Sequence, residues 1–113
     1  MSNSKIVITF NRFPEIAAKL PAETSAVVRK SAYDVEANAK AVVPVDTGAL
    51  KNSINTTMEG EFTAIVAPHT EYAVFVEFGT HNPNYPKQPY MTPAAEIVRP
   101  AFEAAMKQLL ARL

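Results

Sequence analysis

The chain has 113 residues, of which 48% are hydrophobic and 19% charged, which is typical of one globular domain and not of a disordered segment. Its 11 Lys and Arg residues balance its 11 Asp and Glu residues, so the chain lacks the basic excess on which nonspecific nucleic-acid binding depends. Zero net charge also leaves copies of the chain without mutual repulsion. The absence of cysteine excludes disulfides and thiolate metal sites.

The first predicted elements are short. Residues 5–10, KIVITF, alternate along a β-branched run and predict a strand. Residues 13–20, FPEIAAKL, predict a short helix, because a proline is tolerated in a first helical turn. The apolar run near the start is too short for a signal peptide or a membrane span, so we predict an intracellular protein made without export.

A long helix is predicted over residues 22–43. Its apolar residues recur at steps of four and three along one narrow stripe, which consists of Val28, Ala32, Val35, Ala39 and Val42. The helix should end near Val43, because the residue before a proline, here Pro44, is driven out of the α conformation.

The segment VPVDTGALKNSI, residues 43–54, predicts a tight corner after the long helix. Asp46 can cap the amides of Gly48 and Ala49 and so open a short helix. That helix should point Leu50 and Ile54 into the core. We predict a structural turn made by Asp46, Thr47, Gly48 and Leu50, and a second turn at Gly79.

Residues 55–79 predict a hairpin followed by an ambiguous segment. NTTME and FTAIVA flank Glu59-Gly60-Glu61, which suits a hairpin turn. In YAVFVEFG, residues 72–79, the apolar spacing fits either a strand or a short helix that ends at Gly79 in the left-handed conformation. We favour the helix.

A last helix is predicted from Thr92-Pro93 to Leu113, with Thr92 as its cap and Pro100 kinking or splitting it. Its predicted apolar stripe consists of Val98, Phe102, Ala105, Leu109 and Leu113. The whole pattern predicts one α+β domain, residues 1–113, in which a small antiparallel sheet packs against the long helix and the C-terminal helix.

A search for catalytic chemistry finds little. His69 and His81 lack ligand spacing such as His-Glu-x-x-His, and Glu71 and Glu77, six residues apart, share no helix face for acid–base work. No phosphate-binding glycine loop and no nucleophile elbow is present. We therefore predict no catalytic, cofactor or metal site.

The proline-rich loop from Gly79 to Pro93 stands out instead. Four prolines restrict its unfolded states, which lowers the entropy lost when the loop is ordered. Tyr85, Tyr90 and Met91 offer large contact areas of the kind favoured at protein interfaces. Tyr90 and Met91 can equally fold back over the end of the last helix, whereas Tyr85 is better suited to an intermolecular contact.

Three blocks in this order, VPVDTGALKNSI, YAVFVEFGT and QPYMTPA, resemble the gene-product-ten-like family of tailed-phage proteins named for phage Hong Kong ninety-seven. The resemblance spans about residues 22–113. The matching residues are Pro44, Thr47, Gly48, Leu50 and Ile54, then Tyr72, Ala73, Glu77, Gly79 and Thr80, then Gln88, Pro89, Tyr90, Pro93 and Ala94.

The resemblance implies a structural virion protein from a phage or prophage, not an enzyme, that acts at the head–tail junction or tail end. It implies a ring of copies that touches neighbouring neck or tail proteins, made in the bacterial cytoplasm and carried into the virion. The subunit interface is then predicted to include Tyr72, Glu77, Tyr85, Gln88, Tyr90 and Met91. A small ligand-binding or enzyme-like protein is the alternative, and binding to channel DNA would require basic residues on one face.

Overall fold

The computed structural model describes residues 7–10, 14–44 and 48–113. Asp46 and Thr47, with their predicted cap, lie outside the described residues, as does the start of the first predicted strand. The elements are β1 Ile8–Phe10, α1 Pro14–Lys19, α2 Pro21–Val42, α3 Ala49–Ser53, β2 Asn55–Met58, β3 Ala64–Ala67, α4 Ala73–Phe78 and α5 Met91–Ala111. This order of elements confirms the predicted α+β class.

The sheet is antiparallel, with strand order β1-β3-β2. β2 and β3 pair so that Thr56 lies opposite Val66 and Met58 opposite Ala64. Ala64 and Val66 are fully buried, and this face of the sheet packs on α2. The predicted hairpin is present, and its turn is closed by a 2.8 Å hydrogen bond from the Glu59 N–H to the Thr63 carbonyl.

The core lies where α2 packs against the sheet on one side and α5 on the other. Four of the predicted stripe residues of α2 are buried: Val28, Ala32, Val35 and Ala39. Arg112, just after α5, lies 3.6 Å from Glu23 in the first turn of α2, so the two helices run antiparallel. Burial of apolar stripes, at roughly 25 cal/mol per Å², is the main stabilising contribution here.

The predicted stripe is wrong at the end of α2. Val42 is exposed, whereas Val43, which leaves the helix with φ −65° and ψ 142°, is buried in its place. The helix ends where Pro44 requires an extended conformation before it, and that change of direction turns the next side chain into the core. Leu50 and Ile54 are buried as predicted.

The inner face and the start of α5 differ from the prediction. Met106 is fully buried on its inner face, whereas Leu113 follows the last turn and is exposed. Pro100 is exposed and lies inside the helix without splitting it, so of the two predicted effects the split is excluded and the kink stays a prediction. The helix begins at Met91, with Tyr90 as its N-cap residue, so Thr92 is not the cap.

Candidate functional site

The first turn of α5 is held by a side chain from another helix. Glu77 of α4 accepts hydrogen bonds at Oε1 from the N–H groups of Tyr90, at 2.9 Å, and Met91, at 2.8 Å. Its Oε2 accepts a third bond, at 3.1 Å, from the N–H of Thr92. The first amides of a helix have no partner within it, and the next residue, Pro93, has no N–H. One distant carboxylate therefore caps this helix, and α5 can begin before Thr92.

Burial by itself raises the pKa of the Glu77 carboxyl, but hydrogen bonds from the backbone of Tyr90, Met91 and Thr92, and from the Thr92 side chain, outweigh it and leave that pKa below its usual value. Tyr90 lies beside this carboxylate, fully buried, and its hydroxyl donates to the Ala73 carbonyl at 3.1 Å. Burial and the nearby Glu77 charge raise the pKa of Tyr90. Glu77 is thus a charged group at neutral pH, and Tyr90 a neutral donor.

The loop between α4 and α5 is closed at its base. The N–H of Gln88 donates to the Val76 carbonyl at 2.8 Å, which ties the returning strand of the loop to the end of α4. Gly79 lies against the backbone of Lys87. The positive φ predicted for Gly79 is present, at 84°, but its ψ of 177° is extended and not left-handed helical. This combination of angles is adopted almost only by glycine.

Hydrogen bonds within the loop fix its shape. The Thr80 hydroxyl lies 3.3 Å from the Asn82 carbonyl and 3.4 Å from that of Tyr85, and it accepts the N–H of Asn82 at 3.1 Å. The N–H of Tyr85 donates to the Asn82 carbonyl at 2.9 Å. Residues 80–89 are all exposed, and the ring of Tyr85 is 65% exposed. A compact loop with closed ends therefore presents Tyr85 to solvent.

Replacing Gly79 with alanine is expected to lower the free energy of unfolding by roughly 1–3 kcal/mol, because the new Cβ would occupy a disfavoured backbone conformation. That Cβ would also lie 3.1 Å from the Lys87 nitrogen. Gly60 has the same φ of 84° with no atom within 4 Å of an added Cβ, so Gly60→Ala is the matched control. Thermal unfolding of both variants checks this prediction, and a loss no larger for Gly79→Ala than for Gly60→Ala would contradict the close contact.

Helix α4 exposes three aromatic rings on one side. The favoured helical prediction for this segment is confirmed, with Ala73 and Glu77 on the buried face. Tyr72, Phe75 and Phe78 recur at steps of three on the opposite side and remain exposed. Sequence reasoning identified Tyr72 but missed Phe75 and Phe78. The helical spacing could have identified Phe75 and Phe78. If Ala73 and Glu77, four residues apart, share the buried face of a helix, the aromatic positions lie on its exposed face.

The structure divides the predicted interface residues into two groups. Glu77, Tyr90 and Met91 are buried within the chain: the carboxylate caps α5, and Tyr90 and Met91 join the core, which is the folded-back alternative considered for these two residues. Tyr72 and Tyr85 are exposed, and Gln88 is exposed while its backbone closes the loop. For these three the interface role stays a prediction.

Of the residues considered for catalysis, Glu77 caps α5, whereas Glu71 and His81 are exposed. His69 donates its N–H to the Ser53 hydroxyl at 3.0 Å, and its ring Nδ1 lies 2.8 Å from the Ser53 carbonyl. A shallow depression on the outer face of the sheet is lined by Val7, Asn55, Thr57, Glu59, Ile65, Ala67 and His69. Across the described ranges, no three His, Cys, Asp or Glu side chains converge on a possible metal position. Nor does any helix described there offer an apolar stretch of membrane-spanning length.

A comparison with protein families matches residues 10–79 to the family described as "Bacteriophage HK97-gp10, putative tail-component". The chain belongs to this family. The HK97-gp10-like match runs from the end of β1 to Gly79 and includes the corner and α4, so the resemblance drawn from the first two sequence blocks is confirmed. Membership makes the protein a structural component of a phage tail, and hence of the virion. Comparisons with curated proteins and with solved structures gave no significant match.

Proposed function

We propose that this protein completes the phage tail at the head–tail junction, as a ring of copies that binds neighbouring neck or tail proteins. Its family of phage tail components supports the structural role. The observation that carries the more specific proposal is the loop after α4, which is exposed from residue 80 to residue 89 yet held by its own hydrogen bonds.

A loop that is ordered before binding loses less conformational entropy when a partner docks. The prolines at 83, 86 and 89 act in the same direction, because they restrict the free chain. Tyr85 at the outer part of this loop is a suitable anchor, since tyrosine gives a large contact area with few rotatable bonds. The proposal therefore assigns partner contact to the loop and its support to α4 and α5.

We also propose that the protein acts through contacts with other proteins and not through catalysis. Glu77, the described carboxylate with a perturbed pKa, is occupied by three backbone N–H groups of α5. Its position is thus explained by helix capping without a substrate. The enzyme alternative predicts a chemical defect after loss of the gene, whereas the assembly proposal predicts a defect in one joining step.

Deleting the gene from its phage or prophage is expected to leave DNA-filled heads and polymerised tails but few or no infectious particles. The physical reason is that an assembly protein contributes an interface between finished parts. Counting heads, tails and joined virions by electron microscopy, with plaque titres, checks this. A normal yield of joined infectious particles from the deletion strain would rule out the proposed function.

Within the same assay, Tyr85→Ala should reduce joined particles while leaving the fold intact. The substitution keeps both backbone hydrogen bonds of residue 85, which involve its N–H and carbonyl. Tyr33→Ala is the matched control, because Tyr33 is also an exposed tyrosine but lies on α2. Equal yields from the two variants would remove Tyr85 from the interface.

A further inference from the structure

We propose that copies of this chain associate head to tail, with the aromatic face of α4 in one copy against the C-terminal end of α5 in the next. The aromatic face is defined by Tyr72, Phe75 and Phe78, and the α5 end by Leu110 and Leu113. This inference rests on the proposed ring of copies and names the two surfaces that would form it.

The aromatic face is large for a single helix of this size. Phe75 is 56% exposed and Phe78 63% exposed, and Tyr72 is nearly half exposed. Since each fully buried aromatic side chain removes 150–250 Å² from water, the three rings expose on the order of 300 Å² together. A specific interface needs about 800 Å² per partner, of which somewhat more than half is apolar. The aromatic face thus supplies most of the apolar centre of one interface.

The second surface lies at the other end of the molecule. Glu77 fixes α4 to the first turn of α5, so the aromatic face belongs to the N-terminal end of that helix. Leu110 and Leu113 are each about half exposed at its C-terminal end. At 1.5 Å per residue, Met91 and Leu110 are about 28 Å apart along α5. Two different apolar surfaces at opposite ends suit a heterologous contact, which closes into a ring when the rotation between copies permits.

Charge favours a second copy as the occupant. The chain has no net charge, so copies do not repel one another at long range. Within residues 72–90 no acid is exposed, since Glu77 is buried, and the exposed Glu71 adjoins Tyr72 at one end of the face. The α5 end carries the exposed Lys107, and Arg112 is there as well, beside Glu23; a lysine cation packs well over aromatic rings and can also face Glu71. A partner that brings aliphatic side chains with neighbouring cations therefore fits the face, and this chain supplies one.

The test is the oligomeric state of the purified chain, measured by analytical ultracentrifugation over a range of concentrations. The wild type is expected to form a closed oligomer. Phe75→Ser with Phe78→Ser should weaken association roughly thirtyfold or more, as loss of interface anchors does, and Leu110→Ser with Leu113→Ser should do the same. Tyr33→Ser is the control, because it removes an exposed ring from α2 and should leave association unchanged.

Mixing the two double variants distinguishes a head-to-tail contact from a symmetric one. Each variant keeps one intact surface, so a mixture can form one good contact and should give heterodimers but no ring. Circular dichroism melts matching the wild type establish that the variants are folded. A monomeric wild type, or a mixture without heterodimers, would overturn this inference. If the wild type were monomeric while deletion of the gene still blocked joining, this inference would fail and the role in tail completion would stand.

Discussion

Glu77→Ala is expected to lower the free energy of unfolding by about 3 kcal/mol or more, because it leaves buried N–H groups at the start of α5 without an acceptor. The carboxylate now accepts from Tyr90, Met91 and Thr92 and is almost fully buried. The loss should also release the base of the loop, since α4 and α5 are joined there. Urea unfolding measures the first effect, and amide hydrogen exchange at residues 90–92 measures the second.

Two further variants separate charge from hydrogen bonding. Glu77→Gln keeps an oxygen that can accept from Tyr90 and Met91, but its NH₂ group would face the N–H of Thr92, so its loss should be intermediate. Glu71→Gln alters an exposed acid six residues earlier and should stay within about 0.5 kcal/mol of the wild type. If Glu77→Ala were as stable as Glu71→Gln, the cap would contribute nothing to the fold.

The pH dependence of stability follows from the same site. The folded pKa of Glu77 lies below its ordinary value, so the unfolded chain binds more protons between the two values. The contribution of Glu77 is therefore complete above the unfolded pKa, near 4.3, and is lost as pH falls through the folded pKa. The difference in stability between the wild type and Glu77→Gln should shrink over that range. A difference that stayed constant from pH 7 to pH 3 would contradict the pKa shift.

Phe102→Ala is expected to destabilise the protein by about 3–5 kcal/mol, because it removes a large buried ring and leaves a cavity between α5 and α2. Phe102 is 5% exposed and belongs to the core, and α2 and α5 are packed against each other. Chemical denaturation gives the change in free energy. A loss of this size in a domain of ordinary stability leaves little margin, so expression at lower temperature is advisable for the measurement.

Ile97→Ala is the matched control for this core variant, since Ile97 lies on α5 but is mostly exposed. Its loss should be within about 0.5 kcal/mol. Equal destabilisation by the two substitutions would mean that Phe102 does not lie in the core between the helices.

The candidate site was only partly predictable. The loop and its exposed Tyr85 could be identified from prolines and aromatic residues, because these properties belong to the local chain. The role of Glu77 could not, since its partners lie 13 to 15 residues away and are backbone groups with no sequence signal. The observed start of α5 differs from the predicted one for the same reason. Local rules favoured Thr92 as the cap, whereas the carboxylate of the distant Glu77 caps the helix in the structure.

The amino-acid sequence by itself determined the α+β class, the long helix and the hairpin, because apolar periodicity and turn residues act over a few positions. For residues 73–78 the periodicity fitted both a strand and the favoured helix, and the tertiary structure decided for the helix. Only the tertiary structure decided which side chains at the ends of helices are buried. At the end of α2, Val43 is buried and Val42 is exposed. At the end of α5, Met106 and Leu109 are buried and Leu113 is exposed. Burial at these positions depends on where a neighbouring element stops. The tertiary structure also decided that Glu77 and Tyr90 face inward while Phe75 and Phe78 face solvent, because burial is a property of the packed surfaces around a residue and not of the residue alone.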